Sequence, residues 1–390
     1  MRTSGAARSA LFGLATVVMA PACSTGERVF VERLGQDTMA VEVYRRGANR
    51  IEGQRLIRNP VTQLVTYSMD LAPSGTVSRL TADFSTPAEN PDGPAAYGFT
   101  VSLEGDSATI ERRGGDSPGT EQIAVPPGTI PTLGATPMSM AVFEQAATQW
   151  AISGSDSLGV NLLNPVRSSM SANYVARWGT DSIAMSQFGS PLLGRVEADG
   201  TILSRSGERT TMKILDELGT STDLAVLAAD FAARDARGEG VGRASPPGMA
   251  ELTVDGATIR VDYSRPRKRG REIFGQLVPY NEVWRTGANA ATVLRIDRDL
   301  MIAETRLPAG EYTLWSTYTP QGGTLIINSQ TGQWGTAYDA NQDFTHVPME
   351  REMVGEPVEM FTISLEETDE GGVLQIWWDQ TRFSVPFRIS

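Results

Sequence analysis

Apolar and polar side chains alternate with a period of two through most of the first half of this chain. Met39-Ala40-Val41-Glu42-Val43-Tyr44, Gln63-Leu64-Val65-Thr66-Tyr67-Ser68-Met69 and Tyr97-Gly98-Phe99-Thr100-Val101-Ser102-Leu103 all show it, with β-branched and aromatic enrichment. Turn residues such as Pro73-Ser74-Gly75, Asn90-Pro91-Asp92-Gly93 and Asp199-Gly200 separate the runs. From Arg28 to about Gly219 the pattern predicts a curved antiparallel sheet, most simply a meander. Two stretches break it with a helical period. Thr136 as cap, Pro137 in the first turn and Phe143, Ala146, Ala147 and Trp150 on one face predict a helix near 137–150. The alanine-rich run 223–237, with Thr222 or Asp223 as cap, predicts a second. Such helices would cover an otherwise open sheet.

Between Gly238 and Gly248 the apolar period is lost and glycine and proline accumulate, which reads as a linker over 238–249. The expected organisation is therefore a β-rich domain over 23–237 and a second domain over 250–390. In the latter, Ala257-Thr258-Ile259-Arg260-Val261-Asp262-Tyr263 alternates. Val373 to Trp378 and Phe383 to Phe387 suggest a closing pair of strands. Strand and turn spacing predicts a β-sandwich, with Pro386 placing the last strand at an edge. The fold class expected overall is mainly β.

Composition narrows the chemistry. A formal charge of -12 argues against nucleic acid and against electrostatic attraction to anionic lipid. The single histidine, His346, leaves little room for zinc sites or Ser-His-Asp triads, and no nucleophile elbow, phosphate loop or zinc-binding His-Glu-x-x-His occurs.

The first residues point to export. Arg2 and Arg8 precede the short apolar run Leu11 to Ala20, and Ala20-Pro21-Ala22 offers a cleavage site, so residues 1–22 read as a signal peptide. The segment resembles a bacterial lipoprotein signal, which implies that Cys23, the only cysteine, becomes the lipid-modified first residue. Ordinary cleavage after Ala22 is the alternative, leaving a secreted protein with one free thiol. The expected location is the cell envelope, attached to the outer membrane or facing the periplasm, with membrane contact through the lipid only.

The segment from Tyr263 to Thr292 carries Ser264-Arg265-Pro266, Gly270-Arg271, Ile273-Phe274-Gly275, Leu277-Val278-Pro279-Tyr280 and Trp284-Arg285-Thr286-Gly287-Ala288-Asn289. A Pro308-Ala309-Gly310 turn and Gly332-Gln333-Trp334-Gly335 follow. Together these resemble the bacterial domain of unknown function 2911 over roughly residues 250–390. Ala290 departs from the family pattern, which often has glutamate there. Arg265, Arg271, Trp284, Arg285 and Asn289 are the candidate ligand-binding residues, because polar groups repeated around turns are hard to explain by packing. The run from Arg265 to Arg271 holds five cations and reads as an arginine fork for a phosphate or carboxylate, or as a solvated loop paired with acids. Five tryptophans, Trp284, Trp315, Trp334, Trp377 and Trp378, offer core packing or a sugar platform. Asp339, Asn341, Asp343 and Glu350 stand at the spacing of a calcium loop, against which Phe344 replaces the turn glycine. No other cofactor is expected.

The function expected is a non-enzymatic, envelope-attached protein that binds a small molecule, a glycan or an envelope protein. The alternatives are a hydrolase of envelope glycans using two carboxylates, and a carrier resembling the half-barrel proteins that move lipids or lipoproteins across the periplasm.

Overall fold

The computed structural model describes residues 26–87, 95–134, 138–187 and 190–390; the expected signal segment 1–22, Cys23, the expected turn at Asn90–Gly93, Thr136 and Pro137 lie outside them. The described strands form two sheets, one of fifteen strands between Glu27 and Leu218 and one of nine between Pro247 and Ile389. The chain is mainly β, as the alternation predicts.

In the first sheet, eight strands from Glu27–Leu34 to Gly119–Ala124 follow one another as a meander. The chain then crosses to the far edge through Ile130–Pro131 and a helix, α1 (Met140–Ser153). It marches back from Ser157–Asn164 to Ile214–Leu218, which pairs with the first strand in the register Phe30↔Leu218. All pairings are antiparallel except Ile130–Pro131 against Ser157–Asn164. The two edges, Gly119–Ala124 and Ile130–Pro131, are thus close in sequence: the five residues Val125–Thr129 between them reach about 20 Å at most. The sheet must curl until its edges approach. Arg112 Nε donates to Pro165 O at 2.9 Å and Ser168 Oγ to Glu121 at 2.5 Å across the gap, while the edges form no ladder and the sheet stays open.

Helix α1 runs inside this curl. Every side chain from Met140 to Ala147 is buried, including Glu144 and Gln145, so the helix is enclosed on all sides rather than along the one predicted face. It also starts later than predicted, capped by Ser139, and ends at Gly154 in a left-handed conformation with φ 64°. The second helix, α2 (Leu224–Ala236), packs Leu224, Ala228 and Phe231 on the opposite face of the sheet, over Val29, Val41 and Leu56. Asp223 caps it as expected, accepting from the amides of Ala225 and Val226.

The second sheet doubles back on itself as two layers. Asp343–Thr368 pairs with Gly323–Asn328 along its first half and with Gly371–Ile389 along its second, so these long strands pass from one layer to the other. Tyr263 Oη joins the layers, donating to Ile363 O at 3.1 Å and accepting from Ile363 N at 2.9 Å. Pro386 does not mark an edge. Its strand pairs with Glu350–Met353 up to Ser384 and with Leu300–Ile302 from Phe387 onward, so the proline falls at the change of partner, where no ladder hydrogen bond needs its missing N–H.

The sheets meet at one end of the first. Gln36 N, in the turn after Leu34, donates to Arg269 O at 3.0 Å, and the Arg269 guanidinium is buried against Asp37 and Val241 O. The start of the strand Glu27–Leu34, where the chain enters, lies at the opposite end.

Candidate functional site

Most of the predicted basic arm holds the fold together. Arg265 donates to Phe361 O at 3.2 Å and to Thr362 Oγ1 at 2.8 Å. Arg271 donates to Lys268 O at 3.0 Å and Arg267 O at 2.6 Å, and its burial lowers its pKa. Lys268 pairs with Asp379 at 2.6 Å, and Arg269 lies in the seam between the sheets. The segment runs as an irregular connection, so its carbonyls lack ladder donors and its own arginines supply them. The arm pairs with acids, as one alternative expects, through Lys268–Asp379 and Arg269–Asp37, but it is half-buried rather than solvated and is not an open anion fork.

The tryptophans divide in the same way. Trp284 stacks on Trp378 at 5.7 Å between ring centroids and meets Phe361 edge-on at 5.3 Å, within the core. Trp315 is buried, and Trp377 points outward from Trp378, as strand alternation requires, under Arg382. Trp334 alone among the five is strongly exposed, at 57%.

The backbone segments that carry Arg285, Asn289 and Trp334 come together, while Asn289 Nδ2 itself donates to Ser264 Oγ at 3.3 Å. Gly335 N donates to Asn289 O at 2.9 Å, Ala291 N donates to Gln333 O at 3.3 Å, and Ala290 bridges to Trp334, so two motif segments more than forty residues apart close on each other. Gly335 lies directly over the Arg285 side chain: a Cβ there would meet Arg285 Cδ at 2.3 Å and Asn289 O at 2.6 Å. Beneath these loops Trp315, Ala291, Ile326 and Tyr338 form a small apolar cluster of their own.

Arg285 Nε is buried without a hydrogen-bond partner, as are the Nε atoms of Arg55, Arg58, Arg267, Arg269, Arg351 and Arg382. What sets Arg285 apart is that burial alone lowers its pKa, with no perturbing charge beside it among the described residues. The backbone beside it is held out of its ordinary range. Thr286 has φ 50° and Asn289 φ 61°, and Gly287 lies between them at φ 155°. For a β-branched residue such as Thr286 this is a strained conformation. Hydrogen bonds hold it, from Thr286 Oγ1 to Ser316 Oγ at 2.9 Å and from Thr292 Oγ1 to Thr286 O at 2.7 Å.

The calcium-spaced residues do not converge. Asp339 caps the turn Ala340–Gln342 and accepts from Asn341 N and Nδ2 at 3.0 and 2.9 Å. Asp343 accepts from Asn328 Nδ2 at 2.8 Å and from Tyr338 Oη at 2.5 Å, and lies 2.9 Å from His346 Nε2. Glu350 is exposed, seven residues further along the same strand, about 20 Å away and with its side chain on the other face. Asp339, Asn341 and Asp343 serve as local turn partners, and Glu350 stands apart from them.

A second cluster escaped the sequence reading. Under the start of α1, Glu42 accepts from Tyr67 Oη at 2.7 Å, Ser139 Oγ at 2.6 Å and Met140 N at 2.8 Å, capping the helix from a strand. Arg55 donates to Glu32 at 2.8 Å; Arg205 donates to Asp216 at 2.8 Å and to Met138 O at 2.6 Å. All five charged groups are buried. Three carboxylates face two guanidiniums, and burial pushes the Glu32 carboxyl up to about 7 against the opposing charge of Arg55. The signal was present in Phe30-Val31-Glu32-Arg33-Leu34 and Ala40-Val41-Glu42-Val43-Tyr44, where a carboxylate takes an inward slot of an apolar alternation. Its bonds hold α1 in place, and Tyr67, which donates to Glu42, also lines a surface cavity of about 420 Å³ between the strands Asp37–Arg46, Arg50–Ile57 and Gln63–Leu71.

No curated protein matches the chain. Among solved structures, a DUF1089 family protein from Pseudomonas aeruginosa is similar at 9% identity over 44% of this chain and 91% of its own, with a TM-score of 0.32. Residues 245–387, the segment that carries Arg285, Asn289 and Trp334, match the family described as Protein of unknown function (DUF2911), bearing out the resemblance that their motifs carry.

Proposed function

We propose that the mature protein is an exported envelope protein, lipid-anchored through Cys23, whose C-terminal sheet pair binds a small molecule or glycan carrying an anionic group at Arg285. The carrying observation is the partly buried Arg285 guanidinium with no acid beside it. Fully burying a charge without a partner costs several kcal/mol, and the partly buried Arg285 bears a fraction of that cost. A phosphate or carboxylate is the partner its fork geometry fits. The strained Thr286 backbone and the exposed Trp334 support the same place: strain is retained where surrounding structure has a use for it, and an indole face offers a platform for a ring or apolar part of the ligand.

Binding fits this site better than hydrolysis. Glycan hydrolysis needs two carboxyl groups about 5 to 10 Å apart, and no acid lies near enough to Arg285 to perturb it. For the carrier reading, the curled first sheet supplies the shape, but α1 fills the interior that a lipid would occupy.

Thermal-shift screening of the mature chain against phosphorylated and carboxylated sugars and small acids tests the reading. A stabilising ligand whose effect disappears in Arg285→Gln is expected. Stabilisation of both proteins alike would place the ligand elsewhere.

A further inference from the structure

We propose that the rim of the curled sheet at which the chain enters lies on the lipid bilayer, with Ile152 and Trp178 seated among the headgroups and the second sheet pair held away from the membrane. The proposal rests on the reading of Cys23 as the anchor and adds an orientation to it.

Chain length sets the first constraint. Cys23 precedes the first strand residue, Glu27, by four positions, so an acyl chain on Cys23 holds Glu27 within about 14 Å of the bilayer surface. Antiparallel pairing then identifies what else lies at that rim. The strand Glu27–Leu34 begins beside the end of Ile214–Leu218, which lies level with the start of Ile202–Ser206, the end of Ser190–Val196, the start of Ser182–Gln187 and the end of Ser169–Arg177. Trp178 directly follows that last strand. The C-terminal end of α1 reaches the same rim, where Gly200 packs on Ala147 and Thr148, and Gly75 on Ile152.

Among its polar turns the rim exposes three large apolar side chains. Ile152 is 65% exposed, Trp178 52% and Leu218 48%. Tryptophan favours the membrane–water interface, where its ring is partly buried and its N–H stays wet. Several rim charges pair, Arg45 lying 3.0 Å from Glu27, Arg177 3.4 Å from Asp156 and Arg195 3.4 Å from Asp181, and the turn after Val196 adds the acids Glu197 and Asp199. Attraction to anionic headgroups is therefore not what holds this face down, consistent with the chain's net charge of -12. Trp178 and Ile152 add a second, apolar hold to a single lipid modification, which by itself binds membranes only reversibly when it carries one chain.

The opposite end of the first strand fixes the rest. Its eight residues span about 23 Å, and at their far end the turn after Leu34 docks on Arg269. The second sheet pair is thus attached at the end away from the anchor, and the Arg285 site receives its ligand from the aqueous side.

The test uses the lipidated full chain in vesicles of phosphatidylethanolamine and phosphatidylglycerol. A thiol-reactive, polarity-sensitive dye is placed at Thr180→Cys, on the rim beside Trp178, or at Gln321→Cys, in the second sheet pair; both positions are exposed. Acylated Cys23 does not react with the dye, so each variant carries a single label. The expected result is a blue-shifted emission at 180, quenched several-fold more by nitroxide lipid than at 321, unchanged by raised salt and reduced in Ile152→Ser with Trp178→Ser. Equal quenching at the two positions, or a water-like spectrum at 180 with Cys23 shown by mass spectrometry to be acylated, overturns the orientation while leaving the anchor. An unmodified Cys23 overturns the anchor, and the orientation with it.

Discussion

Arg285 is a partly buried charged side chain and Glu32 a fully buried one, and they behave differently also because one has partners. Arg285 has none, so replacing it by an uncharged side chain relieves a desolvation cost. Arg285→Gln is expected to keep or raise the melting temperature, by up to about 1 kcal/mol in stability, while weakening ligand binding about 10- to 100-fold. A large loss of stability in that variant would make the residue a packing element. Glu32 sits among two arginines and two further carboxylates, with its pKa moved from 4.5 to about 7 by burial. Because the folded value is the higher one, the stability it contributes is fully present below about 4.5 and is lost as pH rises through about 7. The midpoint of urea unfolding should therefore fall between pH 5 and pH 8, and Glu32→Gln should flatten that slope. An unchanged slope would show that other groups carry the pH dependence. Arg285 and Asn289 were legible as candidates because their motif is polar where packing would be apolar. The difference between Arg285 and the structural Arg265 and Arg271 was not, since it depends on which carbonyls and acids the folded chain brings near.

At the scale of elements, the strands follow directly from alternation, and α2 from its cap and alanine-rich face. Helix α1 was visible as a helix, but not its enclosure on every side, because that depends on the curl forced by the five-residue connection between the sheet's two edges. Pro386 was misread for a related reason: a strand that changes partners can hold a proline in a sheet interior. The hold on α1 is polar at its start, where Glu42 accepts from Tyr67, Ser139 and two helix amides. Removing one partner from such a buried charged network costs about 3–5 kcal/mol. Glu42→Ala should show that loss in chemical denaturation, with the amides of Met140 to Val142 exchanging faster with solvent; wild-type exchange rates there would mean that apolar packing alone positions the helix. In the second sheet pair, Gly335→Ala must displace the Arg285 side chain or the Asn289 carbonyl. It is expected to weaken ligand binding with a much smaller effect on stability, and full-strength binding in this variant would remove the loop contact from the site.

The whole molecule has two ends with different work. The exposed Ile152 and Trp178 lie at one, with the start of the first strand, and the seam built from Gln36, Asp37 and Arg269 joins the second sheet at the other. This division was only half legible: the glycine- and proline-rich linker announced two parts, but the basic run that joins them looked like a surface arm, because its partner Asp37 lies more than two hundred residues earlier. The central claim is that Arg285 takes an anionic ligand, and isothermal titration of the best thermal-shift ligand into the full mature chain and into Arg285→Gln tests it most directly. A charge-assisted bidentate contact contributes roughly 1.5–3 kcal/mol, so the account predicts saturable binding at one site, weakened about 10- to 100-fold in the variant. Equal affinity in the two proteins would contradict it.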